Sequence, residues 1–561
     1  LDGLESLVAQ SLLRQEGGTE EEPRYRMLGT IWEYAGEQLM ARGEADVARR
    51  RHAECYLGLA EQVRQGWGGP DQGKIRRRLE RDLQNLRAAL RWAESGGERE
   101  LERQLVDVLG WFDRVLVEAF QGEAALDDYQ RLLVSARAAG DKREEVRALL
   151  GLVQAYYVLS LDDQTQTAIV KAKDYFETGA ALAREVADTP SLIRLLVQSF
   201  WFRDSLPEYR EQSAANAREA TLLSEAAGDE ELTIEASMVG WTLFNRPEAE
   251  RRDEELTRRL QERRDYVRLN RHYFSSMFFH LFVGRYARAI EISDAATRLA
   301  GTLGIPPVQY ATIKAWALMG LGRYGEAWRA LQQEVADDQH PFGRTHRDLG
   351  VGIYLYQLGA DERAVDVFRD VDVQAGRLKR AWMQSLARAG QALALSRLGR
   401  LTDAQVIPQT DELPAPASPT IPDVWAELAL AEGRLAEALT RAETVAESAN
   451  SRGRTPGYLF AREIQTRALL RLGRPDEALT VVNAALPIAR EMGGLPLVWR
   501  LLALKATALA RLDRPSEAGL ASAAAGEVIQ SVAQTIDDAE LRRGFLESPD
   551  VAAALRPAAV A

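Results

Sequence analysis

The stretch WGGPDQGKIRRR, residues 67 to 78, sets Gly68, Gly73 and Lys74 at the spacing of a phosphate-binding loop, G-x-x-x-x-G-K. Such a loop follows a buried strand, cradles phosphates with backbone N–H groups and offers the hydroxyl after its lysine to magnesium. Here the residue after the lysine is Ile75. Upstream, Arg49 to Gln65 spaces Cys55, Leu59 and Val63 four apart, which is helical and supplies no strand. Lacking strand and hydroxyl, the segment reads as a Gly/Pro break between helices that binds no nucleotide.

The other chemistry-bearing residues assemble no better. His52, His272, His280, His340 and His346 show no i, i+4 ligand pairing and Cys55 stands alone, so no metal site is expected. No G-x-S-x-G elbow occurs. The acidic pairs Asp127 with Asp128 and Asp162 with Asp163 are adjacent, so on a helix they diverge instead of converging on one substrate. The basic runs 49–51 and 76–78 are interleaved with apolar residues at helical spacing and read as solvated helix faces. The expectation is a chain with no catalytic site and no cofactor. Aromatic residues cluster in SFWF (199–202) and RHYFSSMFFHLF (271–282), where interhelical core is preferred over a ligand groove.

Residues that cannot react must be positioned for binding, and the elements that could position them are helices. A chain of 561 residues exceeds one core and suits a repeat array or several domains. No apolar run approaches 18 residues, which excludes a membrane-spanning helix, and one cysteine excludes an internal disulfide framework, as in a cytoplasmic protein. The net charge of −12 opposes broad nucleic-acid binding, which needs a concentrated positive field. From Leu101 onward, apolar positions recur at three and four residues and strand-like alternation is nearly absent.

The strongest pattern is a Gly followed five residues later by Ala: GRYARA (284–289), GRYGEA (322–327), GADERA (359–364), GRLTDA (399–404), GRLAEA (433–438) and GRPDEA (473–478). A seventh copy, DRPSEA (513–518), carries Asp513 for Gly. The period of about 38 residues is close to that of tetratricopeptide-like helix pairs. In each pair the Gly ends the first helix in a left-handed turn and the Ala lets the second helix approach closely. The fold expected is all-α, a TPR-like α–α superhelical solenoid. Residues 136–283 read as divergent repeats and 284–545 as regular ones, with a Pro-rich loop at 408–422 and a C-terminal tail at 546–561. Counting back from each Gly selects inner-curve candidates for a ligand or partner: Arg271, Gln309, Thr312, Trp316, His346, Glu463 and Arg467.

The first 45 residues differ from this array. SLLRQEGGTEEEPRYRML (11–28) places two short apolar runs around a Gly/Glu-rich turn, a β-hairpin after a helix. Together LDGLESLVAQSLL, RYRMLGTIWEYAGEQL (24–39), ARRRHAECYLGLAE (48–61) and LERDLQNLRAALRWA (79–93) resemble, in order and spacing, the join between ATPase and sensor in bacterial STAND regulators. These signal-transducing P-loop ATPases include AfsR/SARP-like and LuxR-like transcription regulators. VAQTIDDAELRRGFLESPDVAAAL (532–555) is similar to the last helices of such chains. The resemblance implies the end of a winged helix at 1–45, a helical linker or arm at 46–135, and repeats that sense a protein, peptide or small-molecule signal. It also implies an upstream nucleotide-binding domain holding the ATPase, because the phosphate loop, the magnesium-binding Asp and most of the winged helix are missing from this sequence. The glutamates of the hairpin turn (Glu16, Glu20, Glu21, Glu22) oppose direct nucleic-acid contact. The competing reading is a constitutive TPR scaffold that holds partners without switching.

Overall fold

The computed structural model describes residues 2–19, 22–65, 67, 69, 71–115, 122–160, 167–202, 206, 209–240, 246–303, 308–332, 341–378, 380–407 and 419–556. The chain forms two compact units, Leu1–Trp67 with Lys74–Gln121, and Gly68–Gly73 with Gly122–Ala561.

In the first unit, helix Asp2–Ala9 leads into an antiparallel hairpin, Leu13–Thr19 with Glu22–Met27, in which Leu13 faces Met27 and the register shifts between Gln15 and Gly18. Among the described residues this is the single sheet. Helix Gly29–Ala41 buries none of its residues and leaves Trp32, Tyr34 and Met40 exposed. Helices Ala45–Gln65, Gln72–Gly96 and Arg99–Val115 bury Leu57, Leu86, Leu90 and Phe112, and Trp67 meets Trp111 edge-on at 5.3 Å.

The second unit is a TPR-like array of antiparallel helix pairs. In the regular part, first helices such as Tyr266–Phe282, Val308–Gly320, Pro341–Gln357, Ala381–Arg397, Thr455–Arg471 and Leu495–Arg511 alternate with second helices such as Tyr286–Leu303, Tyr324–Gln332, Asp361–Arg377, Leu435–Ser451, Pro475–Glu491 and Pro515–Gln534. Each repeat glycine turns left-handed, and Asp513 does so at φ 55°. The turn is a Schellman closure, seen where Gly322 N donates to Met319 O and Arg323 N to Leu318 O. Ala289, Ala327, Ala364, Ala404, Ala438, Ala478 and Ala518 are all buried where the helices cross.

Two arginine series accompany the turns. The arginine after the turn pairs with an acid three residues on, in Arg323/Glu326, Arg400/Asp403, Arg434/Glu437, Arg474/Glu477 and Arg514/Glu517; these exposed pairs contribute little. The arginine near the end of the first helix does more. Arg397 donates to Tyr356 O at 2.6 Å, Arg471 to Leu430 O and Arg511 to Leu470 O. Each thereby gives a second donor to a carbonyl at the end of the first helix one repeat earlier, which the N–H of the turn glycine already bonds at 3.2 Å.

The array also closes on itself. A Cβ added at Gly284 would meet Met492 and Thr455, one at Gly322 would meet Val532 and Leu495, and one at Gly359 would meet Ser548. One hydrophobic cluster accordingly runs from Ile234 to Leu428 and takes in Trp499, Val532, Ile536, Leu541, Phe545 and Val551 from the far end of the chain. The stretch expected as a C-terminal tail continues as helix Pro549–Leu555 with Val551 buried, and 557–561 lie outside the described residues. Of the Pro-rich stretch, 408–418 lie outside them as well, and Asp423 caps the helix that follows by accepting from Ala426 N at 2.8 Å.

Candidate functional site

The phosphate-loop spacing is resolved by its neighbours. Gly73, Lys74 and Ile75 sit inside helix Gln72–Gly96, while Gly68 lies outside the described residues. Within the second unit, Gln72 Nε2 donates to Asp265 Oδ1 at 3.0 Å and its Oε1 accepts from Val267 N at 2.9 Å, so the residue before Gly73 braces the start of helix Tyr266–Phe282. A Cβ on Gly73 would stand 2.6 Å from Leu303 O, and the glycine serves close approach.

Of the seven selected positions, the array brings together Trp316 and His346. Their rings meet at 71° with centroids 5.3 Å apart, and they are 3% and 1% exposed. The contact belongs to a ladder in which Phe274 meets Phe278 at 5.1 Å, Phe278 meets Trp316 at 6.3 Å, and His346 meets Trp382 at 5.6 Å. Its rungs come from four successive first helices, because one repeat of displacement returns the same helix face beside its neighbour. Phe274 and Phe278 are half-buried and Trp382 is 40% exposed, so the ladder runs from the core to the surface. Burial pushes the His346 imidazole down to about 4, which makes it neutral at pH 7. Thr312 is buried one turn before Trp316, and Arg271 is half-buried on the helix that supplies Phe278. Gln309 lies in helix Val308–Gly320, its side chain outside the described residues.

Glu463 and Arg467 lie one turn apart on helix Thr455–Arg471 and form a second group. Each reaches a neighbouring first helix: Arg500 Nε lies 3.0 Å from Glu463, and Arg467 Nη1 lies 2.7 Å from Glu427 on helix Val424–Ala431. Burial raises the Glu427 carboxyl, with Arg467 pulling the other way. Arg397, beside Asp361 at 3.2 Å and over the Tyr356 ring at 4.1 Å, extends the charged row. The positions selected as inner-curve contacts are thus largely turned into the array: Thr312, Trp316, His346 and Glu463 are buried, and Glu463 and Arg467 are paired within it, which leaves Trp382 as the exposed end of the ladder.

A third polar cluster went unread in the sequence. Asp253, 1% exposed on helix Arg246–Glu262, accepts from Ser276 Oγ at 2.9 Å, and His272 Nε2 and His280 Nε2 each stand 3.0 Å from one of its oxygens. Burial alone would raise that carboxyl, but the two imidazoles outweigh it and hold the group below the ordinary aspartate range. His272, Ser276 and His280 are spaced four apart, a signal that only the facing helix completes. Among the described residues no group of three or more His, Cys, Asp or Glu could hold a metal, and no helix is long and apolar enough to cross a membrane. The pair Asp162 and Asp163 lies outside the described residues.

No family model matches the chain. Over 206 residues it is 34% identical to proteins provisionally named HTH-type transcriptional regulators in Mycobacterium tuberculosis and Mycobacterium bovis, an alignment covering 35% of this chain and 22% of each relative. The chain thus spans about a fifth of the length of the curated relatives it matches. Among solved structures it is similar to the Cut9–Hcn1 hetero-tetramer of APC/C at 12% identity, covering 93% of this chain and 98% of that one, with a TM-score of 0.48. It is also similar to a Rap protein complexed with Competence and Sporulation Factor, at 12% identity over 64% and 95% of the two chains, with a TM-score of 0.33. At these scores neither likeness speaks to function.

Proposed function

We propose that this chain is the sensing arm of a STAND-type ATPase that regulates transcription, and that its repeat array binds a protein, peptide or small-molecule signal and thereby controls a nucleotide-binding module elsewhere in the protein. One observation carries the reading. A helix–hairpin–helix segment that resembles the join between ATPase and sensor precedes an array whose aromatic ladder runs from the core to Trp382 at the surface. The partial identity to proteins named as transcriptional regulators supports the same direction. The signal would act by binding one arrangement of the arm more tightly than another, which shifts their populations by the difference in affinity. Among the described residues no group of three or more His, Cys, Asp or Glu could hold a metal ion, and in this reading the array acts by binding.

A second reading, the constitutive scaffold, is favoured by one feature, the closure of the array on itself at Gly284, Gly322 and Gly359. The coding sequence preceding Leu1 separates the two. A phosphate loop there, with Lys followed by Ser or Thr after a strand, supports the switch. An open reading frame that starts without one leaves the scaffold.

A further inference from the structure

The closure at Gly322 joins segments more than two hundred residues apart through one main-chain hydrogen bond and the hydroxyl of Thr535. Gly325 N donates to Thr535 O at 2.6 Å, Tyr324 N donates to Thr535 Oγ1 at 3.1 Å, and Thr535 Oγ1 lies 2.7 Å from Gly322 O. Arg329 pairs with Asp537 beside them. Beyond Thr535 the chain lays Ile536, Leu541, Phe545 and Val551 into the cluster that holds Tyr354, Leu358 and Phe368, and Ser548 reaches the Gly359 turn. Asp538 caps helix Ala539–Glu547 from within the segment by accepting from Glu540 N and Leu541 N. The segment therefore carries its own helix start, and its hydrogen-bonded ties to the repeats gather at Thr535 and Asp537, while its apolar contacts run along its length.

Gly325 shows how the sequence admits this contact. Its counterparts in the other six copies are Ala287, Glu362, Thr402, Ala436, Asp476 and Ser516, so the repeat does not require glycine there. Its backbone is helical, and Ala would suit the helix better by roughly 1 kcal/mol. A Cβ at this position, however, would stand 2.6 Å from Thr535 O, a main-chain atom that cannot swing aside. The glycine costs its own helix stability and gains only the approach of Thr535.

We infer that residues 536–555 form a releasable strap, seated by Thr535 against the glycine at 325, that covers a face of the repeats between Gly322 and Gly359 until a competing segment displaces it. That this face is the one used by the signal rests on the sensor reading; the release itself does not. A displacing segment would need the strap's chemistry, a short amphipathic helix with Leu and Phe on one side and a carboxylate at its start.

The test compares full-length Gly325→Ala, Thr535→Val and the control Gly519→Ala, whose added Cβ meets open space. Hydrogen exchange is followed across the chain, and a fluorescein-labelled peptide of residues 532–555 is titrated in trans. Expected are exchange at least tenfold faster in 536–555 for Gly325→Ala and Thr535→Val, repeats that stay protected, and peptide binding to Thr535→Val but not to wild type, to Gly519→Ala or to Gly325→Ala, whose added Cβ meets the Thr535 of the peptide as well. If Gly325→Ala does not fold, Thr535→Val decides, because it adds no bulk. Strap protection unchanged in the folded variants, loss of protection in strap and repeats together, or equal peptide binding to wild type would each overturn the inference. None of these results touches the existence of a nucleotide module, so the two readings fail separately.

Discussion

Trp316 meets His346 edge-on with ring centroids 5.3 Å apart, each from the first helix of its own repeat and each nearly inaccessible to solvent. A pair so buried cannot present both rings to a partner, and what it can do is fix the position of Trp382, which touches His346 at 5.6 Å and is exposed. Trp316→Ala should therefore lower stability by about 3–5 kcal/mol, whereas Trp382→Ala should leave the thermal midpoint within a few degrees of wild type and weaken capture of the signal. Paired thermal unfolding and capture assays check this; equal destabilisation by both would place Trp382 in the core as well.

His346 gives the array a defined acid sensitivity. Its folded value of about 4 lies below the 6.5 of the unfolded chain, so below pH 6.5 the unfolded state binds the proton first. The contribution is complete above pH 6.5, fades as pH falls, and stops changing below about 4. At pH 5 the loss is roughly 2 kcal/mol. His346→Leu should remove that part of the decline, seen as a smaller drop in urea midpoint between pH 7.5 and 5. Parallel declines in variant and wild type would mean the imidazole is not buried neutral.

Asp253 is the buried charge on which helices Arg246–Glu262 and Tyr266–Phe282 agree. Asp253→Ala leaves two imidazoles and the Ser276 hydroxyl facing a void, at a cost of about 3–5 kcal/mol. Denaturant unfolding measures it, and a cost below about 1 kcal/mol would show the carboxylate to be solvated.

Ala438 and Ala478 are fully buried at helix crossings. Replacing either with Leu should cost roughly 1–3 kcal/mol, while Glu447→Leu on the exposed face of helix Leu435–Ser451 should cost almost nothing. Equal shifts in unfolding midpoint would show that these alanines do not set the crossing distance.

The repeat was legible because its turns are chemically expensive for most residues. A left-handed helix end selects glycine, and six of the seven copies obey. Residues 136–283 were read as loose for the same reason inverted: Gly140 and Gly228 mark two turns, but Ala187 and Arg264 adopt the same left-handed backbone at φ 53° and leave no glycine to find. Repeat register set Trp316 and His346 on successive first helices and Glu463 with Arg467 on one helix, but as inner-curve contacts for a partner; that Trp316 and His346 are buried against each other was not in it. What stayed hidden depends on long-range partners. Asp253 becomes visible only when its helix faces His272 and His280, and the glycine at 325 looks like repeat variation until Thr535 arrives from 210 residues away.

The account turns on whether the array controls a nucleotide site, and affinity for Mg-ATP measures that most directly. Calorimetric titration of the protein encoded by the uninterrupted reading frame, with and without residues 122–561, should give dissociation constants that differ by about 5–150-fold, the size of an ordinary coupling free energy. Identical constants, or no binding in either form, would contradict the switch and leave the array as a scaffold.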